Sequence, residues 1–146
     1  MQIIYKKGDL LQDDADILVN AVNGLGFMGG GIAKAFADKY PKMLDEYVKL
    51  CDGKAFTYCF TSFHPIEDDR VICNALTVND QLRGEYLRVR GALWELKEFC
   101  LGTLATIAMP PLGCGIGGLN KAIVEKMIRE IFEDTDIELR LYNFKG

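Results

Sequence analysis

Two glycine-rich turns constrain this chain more than any other feature of its sequence. Residues 24–31 read GLGFMGGG and residues 113–118 read GCGIGG. Each follows an apolar, β-like run, Ile17–Val22 in one case and 105–109 in the other, and each leads into a helical pattern. Glycine lets backbone come close to a ligand and adopt positive φ, so that main-chain amides converge on an anion. A helix N-terminus behind such a turn adds unpaired N–H groups and partial positive charge. Two turns of this kind, far apart in sequence, suit a ligand with two linked phosphates.

The segments around the turns alternate strand and helix. Strand patterns cover Gln2–Lys6, Ile17–Val22, residues 55–61, Val71–Leu76, residues 104–109 and residues 137–142. Helical patterns cover Gly31–Lys39 and residues 41–51, where Pro41 suits a first turn. A third helix carries Tyr86, Val89, Leu93, Leu96 and Cys100 at helical spacing. A fourth is marked by Ile123, Val124, Met127, Ile128, Ile131 and Phe132. Strands separated by helices give a largely parallel or mixed sheet covered on both faces, in one three-layer α/β domain over residues 1–146. Ligands of such sheets bind beyond the carboxyl ends of the strands, where both glycine turns fall. By its spacing, the Tyr86 stripe is expected in the core, together with Trp94.

With 146 residues the chain buries roughly 70% of its unfolded surface. Its formal net charge of −4 argues against wrapping duplex nucleic acid, which needs a basic face. Amides and helix dipoles still bind compact nucleotides without a lysine. The five cysteines, Cys51, Cys59, Cys73, Cys100 and Cys114, form an odd set without CxxC spacing, which points to reduced thiols and a cytoplasmic setting. No run of 18 apolar residues and no apolar leader is present. No cofactor, metal or membrane partner is expected, and the chain is expected to be a monomer.

Asn20 and Asn23 close the second strand beside the first glycine turn, and an asparagine that donates and accepts suits sugar hydroxyls. Asp9 follows the first strand, where a carboxylate can accept from an exocyclic amino group such as that of adenine. The second turn lacks the Gly-Lys-Ser/Thr ending of a Walker A loop, and the first lacks the acidic residue of a dinucleotide fingerprint. These absences steer away from NTPases and Rossmann dehydrogenases. Cys114 lies among amides able to lower its pKa, although a small packing residue is the simpler reading. His64 is the only histidine, and Asp68-Asp69-Arg70 reads as a solvated turn.

The series KGDL, ILVNAVN, MGGGIAKAF, AMPPLGCGIGGL and LYNF, in that order over nearly the whole chain, resembles a macrodomain. The resemblance implies an α/β/α module that binds ADP-ribose. It is greatest to the small ADP-ribose-1″-phosphate phosphatases and to the terminal-ADP-ribose glycohydrolase and antitoxin branch. By position it implies that Asp9 meets the adenine amino group, that Leu10 supplies an amide beside it, and that Asn23 binds the distal ribose. Gly29, Gly30, Gly31 and Ile32 become the first phosphate loop, and Gly113, Cys114, Gly115, Ile116, Gly117 and Gly118 the second, with Met28, Pro111 and Leu112 as ligand-binding candidates beside them. Tyr142 takes the position of a ring near adenine, with Phe144 as its neighbouring alternative.

Departures from the family pattern matter equally. The glycohydrolase branch uses a lysine in the region that here reads 74–80, NALTVND, and an acid where Gly117 stands. Another branch uses an aspartate where Ala33 stands. A lysine-adduct mechanism is therefore not expected. The leading expectation is hydrolysis of a distal-ribose derivative, ADP-ribose-1″-phosphate first, with Asn23 fixing the ribose and Asn79, Asp80 or His64 as candidates to orient water. The alternatives are a non-catalytic ADP-ribose reader and an ADP-ribosyl hydrolase that works without the usual lysine. ADP-ribosylated macromolecules are possible partners, without direct nucleic-acid binding, in the cytoplasm of the cell or of a host if the gene is viral.

Overall fold

The structure, a computed structural model, describes residues 1–52 and 61–145. Six strands form one sheet: β1 (Gln2–Lys6), β2 (Ile17–Val22), β3 (Thr61–Pro65), β4 (Val71–Leu76), β5 (Thr106–Met109) and β6 (Glu138–Tyr142). Their order across the sheet is β1-β6-β5-β2-β4-β3. Every pairing is parallel except β3 with β4. The described residues also form the helices α1 (Gly31–Lys39), α2 (Pro41–Asp52), α3 (Tyr86–Phe99) and α4 (Lys121–Phe132).

Period-two alternation along the strands divides the interior into two layers. Ile17, Val19, Cys73, Ile107, Met109, Leu139 and Leu141 share one apolar cluster with Leu93 and Leu96 of α3 and Ile128 and Phe132 of α4. Leu18, Val22, Ile72, Leu76 and Ala108 point the other way, into a cluster with Phe36 of α1 and Met43 and Tyr47 of α2. The three-layer α/β/α arrangement expected from the sequence is therefore the one adopted. Each fully buried Leu, Ile or Phe contributes about 1.5–3 kcal/mol relative to exposure.

The strand pattern at 55–61 lies outside the described residues except for Thr61, which opens β3 rather than ending a strand. Cys59 lies outside them as well. Trp94 and Tyr86 depart from the core expected for them. Val89, Leu93, Leu96 and Cys100 are buried, but Trp94 is 46% exposed and Tyr86 36%. Helical spacing assigns Trp94 to a flank, where the Lys97 ammonium lies 4.7 Å from its ring centroid. Among the described residues no helix is long and apolar enough to cross a membrane.

Asp13 fixes the β1/β6 side of the sheet. Its carboxylate accepts from Lys6 Nζ at 3.2 Å, Arg140 Nη1 at 2.6 Å, the Ala15 amide at 2.8 Å and the Tyr142 hydroxyl. Burial alone would raise its pKa. The bonds from Tyr142, Arg140, Ala15 and Lys6 outweigh burial and hold it down at about 2.

The direction in which the chain moves across the sheet reverses between the parallel strands β2 and β5. The chain leaving β2 crosses toward β4 and β3, whereas the chain leaving β5 goes to β6. Connections that diverge from neighbouring parallel strands open a crevice at their carboxyl ends.

Candidate functional site

A cavity of about 600 Å³ occupies that crevice. Both glycine turns line it, through Gly29, Gly30 and Gly31 on one side and Gly113, Gly115 and Gly117 on the other. Folding therefore brings together two segments more than eighty residues apart in sequence.

The first turn starts at the end of β2. Asn23 Oδ1 accepts from the Leu25 amide at 2.9 Å, and the Gly24 amide donates to the Tyr47 hydroxyl of α2 at 3.0 Å. Gly24 and Gly26 adopt φ of +75° and +87°, which glycine tolerates without strain. One bond to the turn leaves Asn23 its NH2 donors and a second lone pair on Oδ1 for a ligand. Gly30 is the N-cap of α1 and supplies no side-chain bond. The amides that begin the helix, at Gly31, Ile32 and Ala33, thus open on the cavity as anion donors.

The second turn is built differently. The Leu119 amide donates to Gly113 O at 3.0 Å and the Gly118 amide to Gly115 O at 3.1 Å, which folds the turn on itself. The helix behind it has two of its first amides already taken. Asn120 Oδ1 accepts from the Ala122 and Ile123 amides at 2.8 and 3.2 Å, capping α4.

A third wall comes from the chain after β4, through Thr77, Val78 and Leu82. Lys121 and Asn143 lie across the cavity from it, on the side of β6. Lys121 Nζ donates to Asn143 O at 2.8 Å, and Asn143 exchanges side-chain bonds with the backbone of Gly8, both at 3.2 Å. Lys121 is the one charged side chain among the described lining residues. The exposed Phe27 and Ile116 flank the mouth.

Of the residues singled out in the sequence, Asn23, Met28, Gly29, Gly30, Gly31, Ile32, Pro111 and Gly113 to Gly117 line the cavity. Asn20 does not. It is fully buried under α1 and α2, donating to Asn74 Oδ1 at 3.0 Å across the β2/β4 pair. Asp9 caps a single 3-10 turn at Leu10–Gln12 by accepting from the Leu11 amide, and neither Asp9 nor the buried Leu10 is a lining residue. Leu112, Tyr142 and Phe144 are buried and likewise off the lining, with the Tyr142 ring fixed through its bond to Asp13.

The candidates for orienting water also sit elsewhere. His64 is 3% exposed, its Nδ1 2.9 Å from Glu46 Oε1 and its Nε2 2.8 Å from Ser62 Oγ. Asn79 Oδ1 accepts from the Gln81 and Arg83 amides, which makes it a turn-forming residue, and Asp80 is exposed at the tip of that turn. Burial raises the pKa of the Cys114 thiol, and the charge of Lys121 only partly offsets it, so the amides do not make it a thiolate.

Sequence reading missed Phe27, Thr77, Val78, Leu82, Lys121 and Asn143 as lining residues. Phe27 was the most legible of these, an aromatic side chain set between Gly26 and Gly29 with no helix or strand face to serve. The others arrive from separate elements and carry no local signal.

The Macro domain family model matches residues 19–128. The chain is 32% identical to the DNA ADP-ribosyl glycohydrolase of Mycobacterium tuberculosis over 99% of its own length and 43% of that protein's. It is 42% identical over 62 residues to the ADP-ribose 1''-phosphate phosphatase of Aspergillus oryzae, covering 40% of this chain and 31% of that one. Among solved structures, the macrodomain of Mycobacterium tuberculosis DarG superposes with a TM-score of 0.88 at 31% identity, covering 97% of each chain. The chain spans about two fifths of the length of the first curated relatives it matches.

Proposed function

This chain belongs to the macrodomain family, and from that premise we propose that its cavity binds ADP-ribose and hydrolyses a derivative carried on the distal ribose, ADP-ribose-1″-phosphate before others. The supporting observation is the convergence of both glycine turns on one cavity at the β2/β5 divergence. The acting unit is the domain of residues 1–146. The uncapped start of α1 faces the diphosphate together with the amides of the second turn. The adenosine lies toward Asn143 and Lys121, and the distal ribose toward Asn23 and the chain after β4.

The choice of substrate follows from what the lining supplies. No carboxylate or imidazole is present among its described residues, whereas backbone donors are abundant. Donors of that kind stabilise charge that develops on a phosphate, which needs no protonation to be a stable leaving group. A nucleobase leaving group calls for a positioned acid, and among the described lining residues no carboxyl or imidazole serves, while the Lys121 ammonium already donates to Asn143 O. Water enters, and ADP-ribose and inorganic phosphate leave.

Replacing Asn23 by Ala is expected to lower phosphate release from ADP-ribose-1″-phosphate at least about tenfold with the fold intact by circular dichroism. Undiminished turnover rejects the assignment. The same empty complement of acids and bases favours a second reading, a module that binds ADP-ribose without cleaving it. Similarity over 99% of the chain to a DNA ADP-ribosyl glycohydrolase favours a third. Mass spectrometry of ADP-ribose-1″-phosphate, ADP-ribosylated DNA and ADP-ribosylated protein incubated with the chain separates them, alongside calorimetry with ADP-ribose. Tight binding without any product supports the reader, and product from DNA alone supports the glycohydrolase.

A further inference from the structure

The chain between β4 and α3 is an unusually constrained loop for a segment with no regular structure of its own. Val78 and Gly84 form an isolated antiparallel bridge. Between them the Asn79 amide donates to Arg83 O and the Leu82 amide to Asn79 O, both at 2.9 Å. Asn79 Oδ1 gathers the Gln81 and Arg83 amides at 2.9 and 3.1 Å. Leu82 is driven into the left-handed region, with φ of +61°, a conformation that a γ-branched apolar residue rarely adopts. A backbone held in that state by its surroundings is a mark of a functional constraint.

Two further observations show where the constraint acts. The side chain it aims is a lining residue of the cavity. The base of the loop is also locked to the second glycine turn: the Gly84 amide donates to Gly117 O at 2.8 Å, and a Cβ on Gly84 would meet Gly113 O at 2.8 Å and Gly117 O at 3.0 Å. Leu82 is thus held in fixed relation to the turn that clasps the diphosphate. With Thr77 and Val78 it belongs to the wall after β4, opposite the Lys121–Asn143 side.

We propose that Leu82 is a specificity-determining residue that walls the distal-ribose end of the cavity and excludes bulky substituents at the anomeric carbon, and that Asn79 positions it. The proposal rests on the ADP-ribose reading and adds to it the class of derivative accepted: a small group such as phosphate passes, and a planar heterocycle does not. Asn79 thereby acts through Leu82 and touches no reacting atom.

NAD is the probe, being ADP-ribose with nicotinamide on that same carbon. Calorimetry gives the ratio of the NAD to the ADP-ribose dissociation constant for the whole chain and its variants. In the wild type the ratio is expected to exceed about tenfold, one clash with a fixed wall being worth at least that much. Leu82→Gly removes the wall and accepts the left-handed backbone, and Leu82→Asn shortens the side chain in a residue that tolerates this φ; both are expected to collapse the ratio toward unity. Asn79→Ala is expected to lower it by a smaller factor. An unchanged ratio in both Leu82 variants overturns the proposal, as does loss of ADP-ribose binding in both, which would make Leu82 a structural residue. A wild-type chain that binds neither ligand overturns the ADP-ribose reading itself, an outcome distinct from a wild type that binds ADP-ribose with variants of unaltered selectivity.

Discussion

The two glycine turns look alike in sequence and are built for opposite reasons. In the turn after β2, Gly30 has an extended backbone with φ of −159°, and a Cβ there would meet nothing within 4 Å. Neither conformation nor protein packing requires glycine at that position, so the open space is what the residue preserves. In the turn after β5, a Cβ on Gly117 would lie 2.5 Å from Gly113 O and 3.1 Å from the Gly84 Cα. There glycine exists so that three backbone segments can touch. The helices behind them diverge in the same way, α1 starting uncapped and α4 sealed by Asn120. Both turns line the cavity, but the first keeps open space at Gly30, whereas the second is also a buttress, packed through Gly117 against Gly113 and Gly84.

The largest effect expected to test this contrast is on stability. Gly117→Ala forces a methyl group into backbone, and a loss of about 3 kcal/mol is expected in urea unfolding. If stability is kept, the buttress is not load-carrying and the contrast fails. Gly30→Ala is the mirror case. Its stability is expected to stay within about 0.5 kcal/mol, while the affinity for ADP-ribose falls about tenfold, or about 1.4 kcal/mol, as read by calorimetry.

Asn120→Ala sharpens the contrast at the helix starts. Loss of its cap is expected to cost about 1 kcal/mol of stability. Ligand affinity should move little, because the capped amides already have their partner.

The last effect is confined to acid and concerns the frame that both turns share. The Asp13 carboxyl is held at about 2 in the fold, against an ordinary value of about 3.9. A depressed carboxylate stabilises the fold fully above the unfolded value and loses that contribution as pH falls through the folded one. Between about pH 4 and pH 2 the urea midpoint should therefore decline, and Asp13→Asn should flatten that decline. An equal slope in the variant would show that other carboxylates carry the acid sensitivity.

Much of this was legible in the chain. The strands at Gln2–Lys6, Ile17–Val22 and Val71–Leu76 and the helix at Gly31–Lys39 run between the residues their patterns predict, because alternation and helical spacing are local signals. Trp94 escaped because one position around a helix separates a core face from a flank, and residue identity alone favours the core. Asn20 escaped because an amide at the end of a strand suits a ligand and a buried cross-strand partner equally well. Only the register that sets it opposite Asn74 decides between them.

By itself, the amino-acid order determined the alternation of strand and helix, the two glycine turns at strand ends, and a resemblance that placed the chain in its family. Those are properties of neighbours along the backbone, where pattern and conformational preference suffice. Tertiary structure alone decided that the turns meet across β2 and β5, that the second is closed on itself, and that Leu82 and Lys121 reach opposite sides of one cavity. The reason is physical: these contacts join segments distant in the chain, and nothing local to Leu82 or Gly84 encodes which backbone it will face.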